Sequence, residues 1–287
     1  MPLPVASTDA GADGLRAIVS DPARALVGVD FDGTLAPIVA EPSQARAHPR
    51  AAATLRRLAQ SVGTVAIVTG RPPQVAASLL GFTLHEPPSN LLVLGHYGLE
   101  TWTASDGVVR LAHVDTAAMR EVRLALPALL AECDAPAGTA IEDKGLAVAV
   151  HVRATADPGA AMLALRAPLA QLAGKHGVRL EPGRMVLELR PAGTDKGRAL
   201  ATLARTRGSR SVCYIGDDLG DVAAFDAVAQ LREHGVKGLA VCSTSPAAPP
   251  VADLVDRADL VLGGPDDVVA FFEALVARFD ASPGWDR

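Results

Sequence analysis

Hydrophobic positions along this chain fall mostly in short unbroken runs rather than in strict alternation. Residues 26–29, 62–68, 91–94, 211–215, 238–242 and 260–262 are such runs, most of them closed by Gly or Asp within two residues. Short apolar runs closed by turn residues predict strands buried on both faces. Between them the apolar spacing stretches to helical period. Pro49 opens a helix that turns Leu55 and Leu58 inward and Arg56 and Arg57 to water, and further helices are predicted over 73–80, 194–207 (stopped by Gly208), from Asp221 to about Glu233, and over 265–279. Strands alternating with helices of this length predict βαβ units, and so a doubly wound parallel sheet. The pattern changes in the middle. Residues 102–114 predict a hairpin around Ser105-Asp106-Gly107, 117–132 a helix that Pro127 should kink or break, 146–152 a weakly alternating strand, and 158–176 a helix. Residues 178–180 and 185–189 should form a hairpin turning at Glu181-Pro182-Gly183. Helices interleaved with hairpins predict an α+β insert over 115–190, leaving 1–114 and 191–287 as the two parts of an α/β core, with residues 1–14 as a frayed tail.

Composition narrows the class. The 287 residues are 49% hydrophobic but only 3% aromatic, which suits helices packed on a parallel sheet. A net charge of −5 with no basic run argues against nucleic acid as a partner. No stretch approaches the roughly 18 apolar residues of a membrane span, and the first residues lack the basic-then-apolar order of a signal peptide. Cys133, Cys213 and Cys242 have no metal-ligand spacing, and their odd number fits a reducing compartment. A cytoplasmic protein is expected, a monomer or weak homodimer.

The candidate chemistry gathers at segment ends. Asp30-Phe31-Asp32-Gly33-Thr34 directly follows the first apolar run, at the strand edge where open α/β sheets bind ligands. Two carboxylates there are costly to bury unless a cation or a reaction uses them, and oxygen donors this close suit Mg²⁺ beside a phosphate. Thr69, Lys196 and the Asp217/Asp218/Asp221 group also stand at strand or helix termini. Each alone has a plain structural reading: a polar turn, a helix cap before Pro72, a solvated lysine, acids favouring a helix dipole. Together, in this order, they describe phosphoryl transfer. Asp30 is the nucleophile, forming an aspartyl-phosphate, and Asp32 the acid and then base. Thr69 and Lys196 hold phosphoryl oxygens, while Asp217 joins Asp30 and the Asp32 carbonyl around Mg²⁺. Asp218 and Asp221 are second choices as ligands, acting through water or orienting Lys196.

These four segments resemble the motifs of haloacid-dehalogenase-type phosphatases, over nearly the whole chain. The resemblance implies a Rossmann-like core, strict Mg²⁺ dependence and a cap domain inserted between Thr69 and Lys196. Further stretches narrow it: Gly95-His96-Tyr97-Gly98-Leu99-Glu100, Ile141-Glu142-Asp143-Lys144-Gly145 with His151-Val152-Arg153, and Val186-Leu187-Glu188-Leu189-Arg190-Pro191 before Lys196-Gly197 are similar to the trehalose-6-phosphate phosphatase family. That likeness implies Glu142, Lys144 and Glu188 as the groups that bind the disaccharide, with Arg71 and Arg190 as electropositive neighbours of the phosphate. It implies a small-molecule sugar phosphate as the partner and hydrolysis of trehalose 6-phosphate as the reaction. The alternatives are another capped phosphatase, for sucrose phosphate or a hexose phosphate, and a catalytically idle sugar-phosphate sensor. Two departures stand out: Gly220-Asp221-Val222 where the family has Thr-Asp-Glu, and His96-Tyr97-Gly98 where many relatives carry His-Gly. No role follows for His96 or Tyr97 from the sequence.

Overall fold

The apolar runs pair as buried strands, and the polar segment ends line up along one edge. The computed structural model describes residues 2–39, 44–82, 90–105, 109–111, 117–183, 185–245 and 249–281. In chain order the elements are α1 (Asp9–Ser20), β1 (Ala25–Val29), α2 (Ala51–Ser61), β2 (Thr64–Val68), α3 (Pro73–Leu79), β3 (Leu91–Gly95), β4 (Glu100–Thr103) and β5 (Val109–Leu111). Next come α4 (Ala117–Glu132), β6 (Ala140–Asp143), β7 (Val148–His151), α5 (Pro158–His176), β8 (Val178–Gly183) and β9 (Val186–Pro191). The chain continues with α6 (Lys196–Arg207), β10 (Ser211–Gly216), α7 (Val222–Glu233), β11 (Lys237–Ser243), α8 (Ala252–Arg257), β12 (Leu260–Leu262) and α9 (Pro265–Asp280). The chain divides into two compact units, residues 1–110 with 195–287, and residues 111–194.

The first unit is a sheet in the order β12-β11-β10-β1-β2-β3-β4-β5, parallel from β12 to β3, with β4 antiparallel to β3. Successive residues of β1 face opposite sides. Val27 and Val29 join a core with α2 and α9, and Leu26 joins another with Leu200 of α6 and Phe225 of α7. Both faces are therefore covered, which is why β1, β2 and β3 read as unbroken apolar runs.

The N-terminal segment is not a frayed tail. It holds α1, whose first turn is capped by Thr8 and whose Gly11 and Gly14 are buried. A Cβ on Gly14 would fall 1.8 Å from the Gly238 carbonyl oxygen, so the helix backbone lies directly on β11. Thr8 Oγ1 donates to the buried Asp259 carboxylate at 2.5 Å, and Asp259 also accepts from Arg232 and from the Ala240 amide. Glycines that read as tail composition are close-approach positions.

The second unit is an antiparallel sheet, β6-β7-β9-β8, with α4 and α5 on one face. Both helices run on through their internal prolines, Pro127 and Pro168, so Pro127 breaks nothing. The strand β6 and the short α8 carried no clear period. The last hairpin also turns later than expected: β8 runs through Glu181, Pro182 and Gly183, and Gly183 pairs with Val186. In the hairpin expected at 102–114, β4 and β5 are neighbours, while Asp106 and Gly107 lie outside the described residues. Among the described residues, no helix is long and apolar enough to cross a membrane.

Candidate active site

Strand ends position most of the first unit's acidic centre. Asp30 follows the last residue of β1, its amide donating to the Ile215 carbonyl at 2.8 Å, and Asp217 follows the last residue of β10. Because β1 and β10 are adjacent and parallel, both carboxylates emerge at the same edge. Lys196 is the first residue of α6, which Asp195 caps through the Arg198 amide. Its Nζ lies 2.7 Å from Asp30 Oδ1 and 2.8 Å from Asp221 Oδ1, with all three side chains buried. Burial alone would lower the Lys196 pKa, but Asp221 and Asp30 outweigh it and hold the ammonium well above its ordinary value. Burial pushes Asp30 well up, opposed by Lys196. Burial does the same to Asp217, aided by the Asp218 and Asp30 charges.

Asp30, Asp217 and Asp221 each offer an oxygen within 4.8 Å of the others. The three are not equivalent. Asp221 Oδ1 accepts from Lys196 and from the Tyr214 hydroxyl at 2.6 Å, and Oδ2 accepts from the amides of Asp217 and Asp218 at 3.1 and 3.2 Å. A carboxylate has about four lone-pair positions, so Asp221 is spent as a hub that holds Lys196 and the 217–218 backbone. Asp30 and Asp217 remain the residues best able to hold a hard cation; burial, with neighbouring carboxylates adding to it, raises both pKa values, and a cation would offset that cost of ionisation. The backbone makes room for the Asp217 carboxylate. Gly33 sits at φ +85°, and a Cβ there would fall 2.0 Å from Asp217 Oδ2. Asp218 lies outside this trio: it caps the turn that follows, accepting from the Gly220 amide at 2.9 Å, and burial raises its pKa to about 6.

Thr69, just past β2, is buried, and its Oγ1 accepts from the Arg71 amide at 3.1 Å, which leaves its own proton to donate. Asp32 is half-exposed and in a bidentate pair with Arg71, both contacts 2.7 Å, while the Arg71 guanidinium lies 5.4 Å from the centre of the Phe31 ring. Tyr214 is the residue sequence reading passed over. It lies inside an apolar run whose pattern gives it no polar role, and its hydroxyl, donating to Asp221, links it to the site.

The second unit carries its own polar cluster. Residues opposed across antiparallel strands point to the same face, and the registers Glu142↔Ala149, Ala149↔Glu188 and Glu181↔Glu188 set one row across all four strands. Val148, Val150, Leu187 and Leu189 pack against the helices, so this row lies on the opposite face. Lys144 Nζ donates to Glu188 Oε2 at 2.6 Å, and Glu142 Oε2 lies 2.7 Å from His151 Nε2. Glu188 is only 4% exposed, and its Oε1 is buried with no hydrogen-bond partner among the described residues. Arg190, an expected electropositive neighbour of the phosphate, has its guanidinium engaged within the second unit. It is buried, donating to Glu181 at 2.5 Å and to the carbonyl and hydroxyl of Thr194.

A doubly wound parallel sheet with an acidic carboxyl edge, and an α+β unit inserted in the chain, define a haloacid-dehalogenase-like fold. In keeping with this, a haloacid dehalogenase-like hydrolase from Bacteroides thetaiotaomicron superposes with a TM-score of 0.58 at 18% identity, over 86% of this chain and 98% of that one. The C-terminal domain of C. albicans trehalose-6-phosphate phosphatase superposes with a TM-score of 0.74 at 19% identity, over 96% of this chain and 99% of that one. The sequence profile of the trehalose-phosphatase family matches residues 28–257. This chain belongs to that family. A probable trehalose-phosphate phosphatase of Sinorhizobium fredii is 33% identical over 225 residues, 77% of this chain and 80% of that protein. An uncharacterized glycosyl hydrolase of Mycobacterium tuberculosis is 37% identical over 213 residues, 71% of this chain but only 15% of its own length.

Proposed function

We propose that the protein is a phosphatase that hydrolyses trehalose 6-phosphate to trehalose and phosphate. The observation that carries this is the buried Asp30 carboxylate at the tip of β1, 2.7 Å from the Lys196 ammonium and beside Asp217. A structural ion pair has no need of a third carboxylate pressed against it, whereas a site for a phosphate and a cation does. Asp30 attacks phosphorus, the bond from phosphorus to the sugar oxygen breaks, and the leaving oxygen takes a proton from Asp32. Water then attacks the aspartyl-phosphate, giving its proton to Asp32 and releasing phosphate. The Lys196 ammonium and the Thr69 hydroxyl hold phosphoryl oxygens while charge shifts between them. Arg71 is shared: a phosphate oxygen and Asp32 are alternative partners for its guanidinium, so phosphate arrival frees Asp32 from its bidentate pair. Asp30 and Asp217 would hold Mg²⁺, which supplies positive charge against the phosphate's repulsion of the carboxylates.

The sugar is read by the second unit's polar row. Glu188 Oε1, with no hydrogen-bond partner among the described residues, is a buried acceptor, Lys144 supplies donors, and Glu142 is held by His151. Sugar hydroxyls both donate and accept, and a buried acceptor left empty by a substrate lacking the right hydroxyl discriminates strongly.

The test is phosphate release from trehalose 6-phosphate, sucrose 6-phosphate and glucose 6-phosphate, with Mg²⁺ and then with EDTA. Metal-dependent release from trehalose 6-phosphate alone is expected. Release from another sugar phosphate only would refute the sugar assignment, and release from none would refute the phosphatase reading.

A further inference from the structure

The geometry points to the turn His96–Gly98 as the clamp of the phosphate-binding loop, with Tyr97 as a positioning residue for Thr69. The inference rests on the phosphatase reading for the role of Thr69. The turn is strained. His96 and Tyr97 have φ values of +47° and +59°, followed by Gly98 at +92°. Consecutive side-chain-bearing residues in the left-handed region are rare, because each Cβ crowds its carbonyl. Such strain persists only where the surroundings over-determine it, and it concentrates at functional sites.

The surroundings here are the loop and helix that carry the phosphate-holding groups. The His96 amide donates to the Arg71 carbonyl at 3.1 Å, and the Tyr97 amide to the Thr69 carbonyl at 3.0 Å. Both carbonyls flanking Gly70 are thus held by successive amides of the turn. The Tyr97 ring lies against Gly70 itself, where a Cβ would fall 2.7 Å from the phenol oxygen and 2.9 Å from the ring carbon bearing it. On its other side the turn meets α6. A Cβ on Gly98 would fall 2.6 Å from the Ala199 side chain, one helical turn from Lys196. The His96 ring is buried at the base, 3.5 Å from Glu100. One turn therefore touches both segments assigned to hold phosphoryl oxygens, through the Thr69 and Arg71 carbonyls on one side and Ala199 on the other. Tyr97 makes this possible by covering a loop whose centre must be glycine.

The experiment compares Tyr97→Phe, Tyr97→Ala and Tyr97→Gly by hydrogen exchange and by steady-state kinetics. The substrates are trehalose 6-phosphate and p-nitrophenyl phosphate. Glycine takes the left-handed conformation without strain, so its variant loses the ring without adding backbone strain. In the Ala and Gly variants, amides over residues 69–73 should exchange about tenfold faster than in wild type, with β1 and β10 unchanged. Their kcat should fall about 10- to 100-fold, by the same factor on both substrates. Tyr97→Phe keeps the ring cover and should stay within about threefold of wild type. Wild-type kcat in Tyr97→Gly overturns the inference, as does unchanged exchange over 69–73 in both truncated variants. A loss confined to trehalose 6-phosphate also overturns it, because the clamp serves the phosphate and not the sugar. If wild type hydrolyses neither substrate, the phosphatase reading fails separately, and exchange still decides whether Tyr97 holds the loop.

Discussion

Asp221→Asn separates a metal ligand from a hub. The substitution keeps the shape of a side chain that is 0% exposed and replaces one acceptor oxygen with a donor. If the new amide nitrogen faces the Asp217 and Asp218 amides, two donors meet a donor. If it faces the other way, Lys196 loses a carboxylate and Tyr214 its acceptor. Either orientation forfeits two hydrogen bonds to a carboxylate, and bonds to charged groups contribute about 1.5–3 kcal/mol each. A destabilisation of about 3 kcal/mol is expected, lowering Tm by about 6–12 °C for a chain of this size. With one of its two carboxylate partners gone, Lys196 also loses its fixed position beside Asp30, and kcat should fall about 100-fold. The assay pairs thermal unfolding and phosphate release with calorimetric titration of Mg²⁺. As a residue behind the metal, Asp221→Asn should weaken Mg²⁺ binding by about 10- to 100-fold at most, whereas Asp217→Asn should abolish it. An Asp221→Asn protein that keeps wild-type Tm and rate, or that loses Mg²⁺ as completely as Asp217→Asn, would refute the argument from filled acceptor positions.

Mg²⁺ at about 100 times its Kd should stabilise the folded chain by about 2.7 kcal/mol, read as a Tm rise that EDTA reverses and Asp217→Asn lacks; no rise in wild type would rule out the Asp30/Asp217 site. Glu188→Ala should lower kcat/KM for trehalose 6-phosphate about 10- to 100-fold while leaving p-nitrophenyl phosphate hydrolysis unchanged, and equal losses on both would remove Glu188 from sugar reading. Asp259→Ala strands Arg232 beside the N-terminal helix and should cost about 3–5 kcal/mol, seen as a large fall in Tm at wild-type specific activity; an unchanged Tm would show that α1 is not anchored through this carboxylate.

Sequence pattern alone was enough for the doubly wound core. Strands buried on both faces must be apolar throughout, so β1, β2, β3 and β10 announce themselves. It also placed Asp30, Thr69, Lys196 and Asp217 at element ends, because polar residues at the close of an apolar run have few other reasons to be there. Three features were decided only by the tertiary structure. The helix α1 has a tail's composition, and its glycines make sense only once the Gly238 backbone and Asp259 lie against them. Asp217, Asp218 and Asp221 are near neighbours in sequence with one shared chemistry. Only their hydrogen bonds divide them into candidate ligand, turn cap and hub. Arg190 reads as an electropositive residue in a strand, and only the fold shows that Glu181 and Thr194 accept from its guanidinium. Periodicity reports how much of an element is buried. What a buried polar atom touches depends on the strands and helices that tertiary packing brings beside it.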